Sequence, residues 1–414
     1  MHSYSPKTSE SEAKFFYGYI IVAAGFLTLL IVYGAQYSFG VFLKPLLTEF
    51  GWSRSVISGA YSLTYVFGGV WSIFAGRISD RFGPRLVVMV GGLLVSFSYL
   101  LMSQITAVWQ IYLTYGVLLS IGMAAVFVPV LSTVARWFIA KRGLVSGIVI
   151  AGIGIGITIM PPLASFLISS YSWRISYIVV GLIALTIPVI IAPFLRRGTD
   201  RGVELLEDAD VHQDENSNHP MLGFSLPQAI RTRQLWIIMV IFFIMNNCIQ
   251  TVMVHIVAYA TDAGIVANMA ATILTAIGIV SIISKVGMGS ALDRLRSKTV
   301  MIIVTILMLI SFLLLQLPIA LILLYIFAVI FAASYGGSTT TMSPAVAEYF
   351  GLREHGAIYG VVIFAASMGS ATGPFIAGLI FDMSGSYNLV IVGCAVLSAV
   401  AVILLRSLKP AEQN

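Results

Sequence analysis

The chain has 414 residues, of which 59% are hydrophobic and 10% charged, with a mean hydropathy of +0.98. Soluble domains carry about 25% charged residues, so this composition excludes an ordinary water-soluble globule and places the chain in a lipid bilayer. The formal charge of +6 does not point to nucleic acid, because the basic residues fall between apolar spans rather than on one folded face.

Met1 to Lys14 is polar and lacks the basic-then-apolar order of a cleaved signal, so the first apolar run is expected to be retained as a helix. A membrane-crossing helix needs about 20 mostly apolar residues. Apolar runs bounded by charge, proline or glycine predict helices over 16–43, 55–76, 86–104, 108–137, 143–169 and 174–195. A second six are predicted over 234–261, 266–292, 299–316, 319–349, 355–381 and 387–406. Between them, 196–233 holds seven acids and five arginines and reads as a cytoplasmic linker joining units 1–195 and 234–414. The expected class is an all-α integral membrane protein of twelve transmembrane helices. Cys248 and Cys394 both lie in apolar stretches, which argues against a disulfide framework or a cysteine metal site, and no cofactor is implied.

Lysine and arginine favour the cytoplasmic side of a membrane. With the N-terminus inside, 19 of the 23 basic residues fall in cytoplasmic segments, Lys44, Arg54 and Arg174 fall outside, and Lys285 lies within a span. Both termini are therefore expected in the cytoplasm, with the chain in the cell membrane. The halves also repeat. Gly76-Arg-Ile-Ser-Asp80-Arg81 recurs as Gly289-Ser-Ala-Leu-Asp293-Arg294, and Arg136-Trp-Phe138 with Pro162 recurs as Glu348-Tyr-Phe350 with Pro374, at offsets of 212 or 213 residues. This register predicts two pseudo-symmetric six-helix bundles, with any substrate held near the midplane between them.

Gly76 to Arg85, expected in the loop after the second span, resembles the G-x-x-x-D-R-x-G-x-R/K signature of the major facilitator superfamily. Within it, Ser38-Phe-Gly40-Val-Phe42 with Glu49-Phe-Gly51-Trp52, and Trp137-Phe138 through Gly152, resemble the branch of monocarboxylate transporters and oxalate/formate antiporters. The resemblance implies a transporter working by alternating access, with a monomer as the working unit. Gly76, Asp80, Arg81, Arg136, Asp293 and Arg294 would gate the cytoplasmic end, Asp80 pairing with a cation such as Arg136. The sequence departs from the branch: Tyr37 stands where eukaryotic members carry a lysine, Lys285 stands at the arginine position of the eighth helix with no Asp before it at that motif's spacing, and Ala365 to Gly373 offers no lysine where oxalate exchangers use one in the eleventh helix.

Lys285 lies eight residues before Asp293, about 12 Å inside the boundary of a core about 30 Å thick. A lysine that deep costs roughly 2.5–3.5 kcal/mol and calls for a partner. All 17 acids fall in predicted loops or helix ends, so a carboxylate substrate is the expected partner, and one unpaired cation suits a monoanion of lactate or pyruvate size. Lys285 could also snorkel to the surface or pair with carbonyls. His255, with Asn246, Asn247 and Gln250 on the preceding turns, is a candidate contact and proton carrier, or else a histidine satisfied between helices. Tyr33, Gln36, Tyr37, Phe127 and Tyr335 are candidates to line the cavity, against packing as the alternative.

The expected function is thus proton-coupled monocarboxylate transport, with Lys285 and His255 as coupling groups. The alternatives are an organic anion exchanger or another exporter of the fold. A membrane-embedded enzyme or a receptor is remote, because the spans hold no catalytic constellation and the chain no long output segment.

Overall fold

The computed structural model describes residues 17–138, 142–195, 223–292, 294–318, 320–351 and 353–408. Its long helices are α1 (Gly18–Phe50), α2 (Arg54–Phe82), α3 (Pro84–Met102), α4 (Val108–Val134), α5 (Arg142–Ser170) and α6 (Trp173–Phe194). The second set is α7 (Arg233–Asp262), α8 (Ala267–Leu292), α9 (Ser297–Leu314), α10 (Leu321–Phe350), α11 (His355–Ser384) and α12 (Asn388–Ser407). Among the described residues 11 helices are long and apolar enough to cross a membrane. The 29-residue α2, packed between α4 and α11, completes the twelve.

Local chemistry sets the helix ends. Ser53, Thr232 and Ser172 start α2, α7 and α6 by accepting the N–H of Val56, Leu235 and Ile175 at 3.3, 3.3 and 3.2 Å. Gly51 and Gly385, at φ 65° and 69°, close α1 and α11 in the left-handed conformation that glycine tolerates. Three boundaries differ from expectation. α1 runs past residue 43 to Phe50 with Pro45 inside it, after a break at Ser38 whose hydroxyl donates to the Gly34 carbonyl at 2.8 Å. α2 continues to Phe82, so Gly76 to Arg81 form its last turns rather than a loop, and Gly83 at φ 91° ends it. The expected linker is structured from Gly223, where a short helix Leu226–Ile230 docks on the second bundle through Phe224 N–H to the Phe350 carbonyl at 2.8 Å and Leu226 N–H to Glu354 at 2.7 Å. Residues 196–222 lie outside the described residues.

The packing follows the repeat. In the first bundle α1 packs on α5, α2 and α3 on α4, and α3 on α6; in the second, α7 packs on α11, α8 and α9 on α10, and α9 on α12. Adding six to each helix number turns one set into the other. The bundles meet where α2 crosses α11 and α5 crosses α8, and these two crossings are exchanged by the same operation.

Small residues make the close crossings possible, as the repeated glycines suggest. A Cβ on Gly278 of α8 would lie 2.5 Å from the Thr158 hydroxyl and 2.9 Å from the Gly154 carbonyl of α5, whereas one on Gly287 would meet nothing within 4 Å. Gly278→Ala is therefore expected to destabilise the fold by about 1–3 kcal/mol, and Gly287→Ala to stay within about 0.5 kcal/mol of wild type. Unfolding midpoints of the two variants in detergent check this; equal midpoints contradict it.

Candidate functional site

Lys285 sits on α8 one turn beyond Ile282, which packs against α5, and is half-buried. Its Nζ lies 5.2 Å from the ring centroid of Tyr335 on α10, within cation–π range. Among the described residues no carboxylate pairs with it; the ion pairs there join Lys44 and Arg54 to Asp262, and Arg174 to Glu49. The Tyr335 phenol stands near those of Tyr37 on α1, Tyr33 and Tyr61. Gln250 of α7 donates through Nε2 to the Tyr37 hydroxyl at 3.3 Å and accepts at Oε1 from the Tyr61 hydroxyl at 3.0 Å. Tyr65 lies one turn along α2, its hydroxyl 3.3 Å from that of Tyr61. Tyr33 packs edge-on against Phe127 of α4 with centroids 5.6 Å apart. Both bundles thus contribute to one amphipathic cage with a single ammonium at its edge.

The helices that join the bundles are loosely packed at one end of the molecule and tightly packed at the other. On α2, α5, α8 and α11, a Cβ on Gly68, Gly69, Gly147, Gly287 or Gly360 would meet nothing within 4 Å. The same helices are tightly joined at the opposite end. There Arg54 donates to Asp262 and to the Tyr387 hydroxyl, both at 2.5 Å, and lies 3.7 Å above the Phe381 ring. Asp382 at the end of α11 accepts the N–H groups of Arg54 and Ser55 at 2.9 and 2.8 Å, so a carboxylate from the second bundle caps the first turn of α2. Asn268 accepts from Ser165 and Ser169 at 2.8 and 2.9 Å across the other crossing. Burial pushes the Tyr387 phenol above its ordinary value and keeps it protonated.

His255 belongs to this closed end and not to the cage, and its contacts are those of the alternative reading, a histidine hydrogen-bonded between helices. Its Nδ1 lies 2.8 Å from the Tyr387 hydroxyl and its Nε2 2.9 Å from the Pro374 carbonyl. The carbonyl can only accept, so Nε2 carries the hydrogen, and Tyr387, receiving Arg54, gives its own proton to Nδ1. Both ring nitrogens are occupied in a buried site. Asn246 donates to the Phe242 carbonyl at 2.9 Å and Asn247 to the Thr372 hydroxyl at 3.1 Å. Gln36 is buried with Oε1 unpartnered, while its backbone carbonyl accepts the Tyr115 hydroxyl at 3.0 Å. The structure places Lys285, Tyr335, Tyr37, Tyr33, Phe127 and Gln250 near one another.

Of the expected gate, Asp293 and the side chains of Asp80 and Arg136 lie outside the described residues, and of Gly76 only the helical backbone is described. Arg81 is exposed with its guanidinium 5.3 Å from the Phe82 ring, and Arg294 is exposed. Sequence reasoning missed Tyr61 and Tyr65, although their i, i+4 spacing puts them on one face of α2. It also missed Arg54, Asp262, Asp382 and Tyr387, which no local pattern connects.

The family model of the Major Facilitator Superfamily matches residues 25–289 and 235–414. The chain is 27% identical to monocarboxylate transporter 13 of Rattus norvegicus over 94% of this chain and 88% of that protein. It is 26% identical to the oxalate:formate antiporter of Oxalobacter formigenes over 64% of this chain and 61% of that protein. Among solved structures it resembles a point mutant of the nucleoside transporter NupG, at TM-score 0.73 and 13% identity over 95% of this chain and 99% of that one. A bacterial homolog of the human lysosomal transporter Spinster aligns at TM-score 0.70 and 14% identity over 95% of both chains. These two likenesses are of fold. With its two six-helix bundles and inter-bundle cage, the chain belongs to the Major Facilitator Superfamily, and it is a membrane transporter rather than an enzyme.

Proposed function

We propose that the chain carries small monocarboxylate anions, of lactate or pyruvate type, across the cell membrane by alternating access. The observation that supports this most is Lys285, an ammonium at a cage built by both bundles with no carboxylate partner among the described residues. The anion's carboxylate binds Lys285, Tyr335 donates to one of its oxygens, and Tyr33 and Phe127 enclose its short apolar part. One cation matches one negative charge; a dianion would bring a second charge to a cage whose other described members are neutral. The closed end, which holds Lys44, Arg54 and Arg174, is the outer face by the distribution of basic residues. The loosely packed end then faces the cytoplasm, where both termini, the linker between the bundles and the gate of Gly76, Asp80, Arg81, Arg136, Asp293 and Arg294 lie. The chain works as a monomer of bundles 1–195 and 234–414. Proton coupling runs through Lys285, since desolvation and a bound anion act in opposite senses on an ammonium.

The likeness to an oxalate:formate antiporter supports a second reading, organic anion exchange. Proteoliposomes distinguish the two. Lactate uptake driven by an acidic exterior, inhibited by pyruvate and weakly by oxalate, is the expected result. Uptake that requires an internal counter-anion and ignores the pH gradient contradicts coupling and favours exchange.

A further inference from the structure

A cavity of about 440 Å3 lies at the closed end, between α1 and α5 of one bundle and α7 and α8 of the other. Its wall is largely apolar, with Val41, Ile168 and Val257 in it, and its rim carries Lys44, whose side chain is 46% exposed. The cavity stands on the same helix faces as the cage. On α1, Tyr33, Tyr37, Val41 and Lys44 follow one another at steps of three or four residues, and on α7 Gln250, Val254, Val257 and Thr261 do the same. Between cavity and cage the two helices touch through their backbones: a Cβ on Gly40 would lie 2.7 Å from the Val254 carbonyl and 2.9 Å from that of Met253. The seam beside the cavity is also the weaker of the two between the bundles. Ser169 and Asn268 at the α5–α8 crossing correspond to Asp382 and Ser55 at the α2–α11 crossing, at an offset of 213 residues. The α2–α11 seam is held by carboxylates and Arg54, whereas Asn268 accepts only neutral hydroxyls, and hydrogen bonds between neutral groups are roughly half as strong.

We infer that this cavity is an outer antechamber for the anion, in which Lys44 takes the carboxylate of a small organic acid and the apolar wall takes its carbon chain, before the bundles part at Gly40. Lys44 has charge to offer. It shares Asp262 with Arg54, at 3.3 Å against 2.5 Å, so two cations face one carboxylate there. Glu49, the acid in the cavity wall, is already committed: Oε1 accepts from Arg174 at 2.6 Å and Oε2 accepts the Trp173 indole N–H. Asp382 is spent on the first turn of α2. An ammonium beside an apolar wall repeats the chemistry of the cage, and suits an organic acid better than chloride or an uncharged amide. One half-exposed charge makes a weak site, of millimolar affinity or weaker; it loads the path without holding the anion, and adds little to folded-state stability at low ligand concentration. The choice of a monocarboxylate rests on the function proposed above, while the antechamber rests on Lys44 and the cavity.

The test reads Lys44 directly. A water-soluble acylating ester is applied to the full chain in nanodiscs, and mass spectrometry follows the acylation of Lys44 against the other lysines. In about 50 mM L-lactate, compared with chloride at the same ionic strength, acylation of Lys44 is expected to slow about threefold, and lactamide is expected to leave it unchanged. Lys285→Gln is expected to show the same protection, because the antechamber stands apart from the cage. A Lys44 that does not react, that reacts equally fast in lactate and chloride, or that loses its protection in Lys285→Gln overturns the inference. Uptake into proteoliposomes gives the second arm: Lys44→Gln is expected to raise the lactate KM about fivefold at low salt, an effect that shrinks as salt rises, and Lys44→Arg is expected to restore it. A wild-type KM in Lys44→Gln, or a rise that Lys44→Arg shares and salt does not change, takes Lys44 off the anion's path. The two sites fail separately. Lost uptake in Lys285→Gln with Lys44 unprotected in both proteins discards the antechamber and keeps the cage, while wild-type uptake in Lys285→Gln with Lys44 protected does the reverse.

Discussion

Lys285→Gln is expected to lose lactate transport by about 30-fold or more in kcat/KM, because truncating one partner of a buried charge pair costs about 2–5 kcal/mol. Glutamine keeps most of the stem and a hydrogen-bond donor, so packing against Tyr335 survives while the charge does not. Lys285→Arg keeps the charge and cation–π geometry but replaces a point charge with a planar fork. It is expected to retain measurable transport with altered KM. If the glutamine variant transports as well as the arginine variant, charge at residue 285 is not what the substrate needs. The protein should not be destabilised by the glutamine change, since no described carboxylate is left unpaired by it.

Arg54→Gln is expected to unlock the closed end. The Arg54 side chain is 9% exposed and its partner Asp262 31% exposed. Breaking a fully buried pair costs about 3–5 kcal/mol; the exposure of Asp262 and the remaining Lys44 at 3.3 Å reduce that to about 1–3 kcal/mol. Every 1.4 kcal/mol is tenfold in a two-state equilibrium, so the closed state should lose roughly ten- to hundredfold of its advantage. The substitution leaves Asp382 bonded to the α2 backbone, and Asp382→Asn tests that contact separately, keeping an acceptor while removing the charge that favours the helix N-terminus. Spin labels on the exposed Thr48 and Val266, one on each bundle at this end, report the outcome by pulsed dipolar spectroscopy. A longer-distance population appearing in Arg54→Gln and, more weakly, in Asp382→Asn is the expected result. Unchanged distances in both would show that these contacts do not hold the end shut.

The architecture was legible because bilayer thickness writes itself into apolar run length, and duplication wrote the same register twice. Lys285 was legible for a similar reason: an ammonium amid apolar residues stands out without any partner being known. The helix boundaries were less so. α2 passes through Gly76 and Asp80 because charge near a helix end does not break a helix; the break comes at Gly83, which takes positive φ. His255 shows the limit most clearly. A histidine on an apolar helix fits either a site or a structural bond, and only the placement of Pro374 and Tyr387, over a hundred residues away in sequence, decides between them. The contact of Arg54 with Asp382 spans 328 residues, beyond the reach of any local spacing rule, whereas Tyr61 and Tyr65 were available to a reading of α2 by faces.

Ligand-induced stabilisation of the wild type and Lys285→Gln by a panel of short carboxylates tests the anion site most directly, because a ligand that binds only the folded state raises its unfolding midpoint. Lactate, pyruvate and acetate should raise the wild-type midpoint, oxalate should do so less, lactamide not at all, and none should move the Lys285→Gln midpoint. Equal shifts in both proteins, or a shift with lactamide matching that with lactate, would contradict a cage organised around one positive charge.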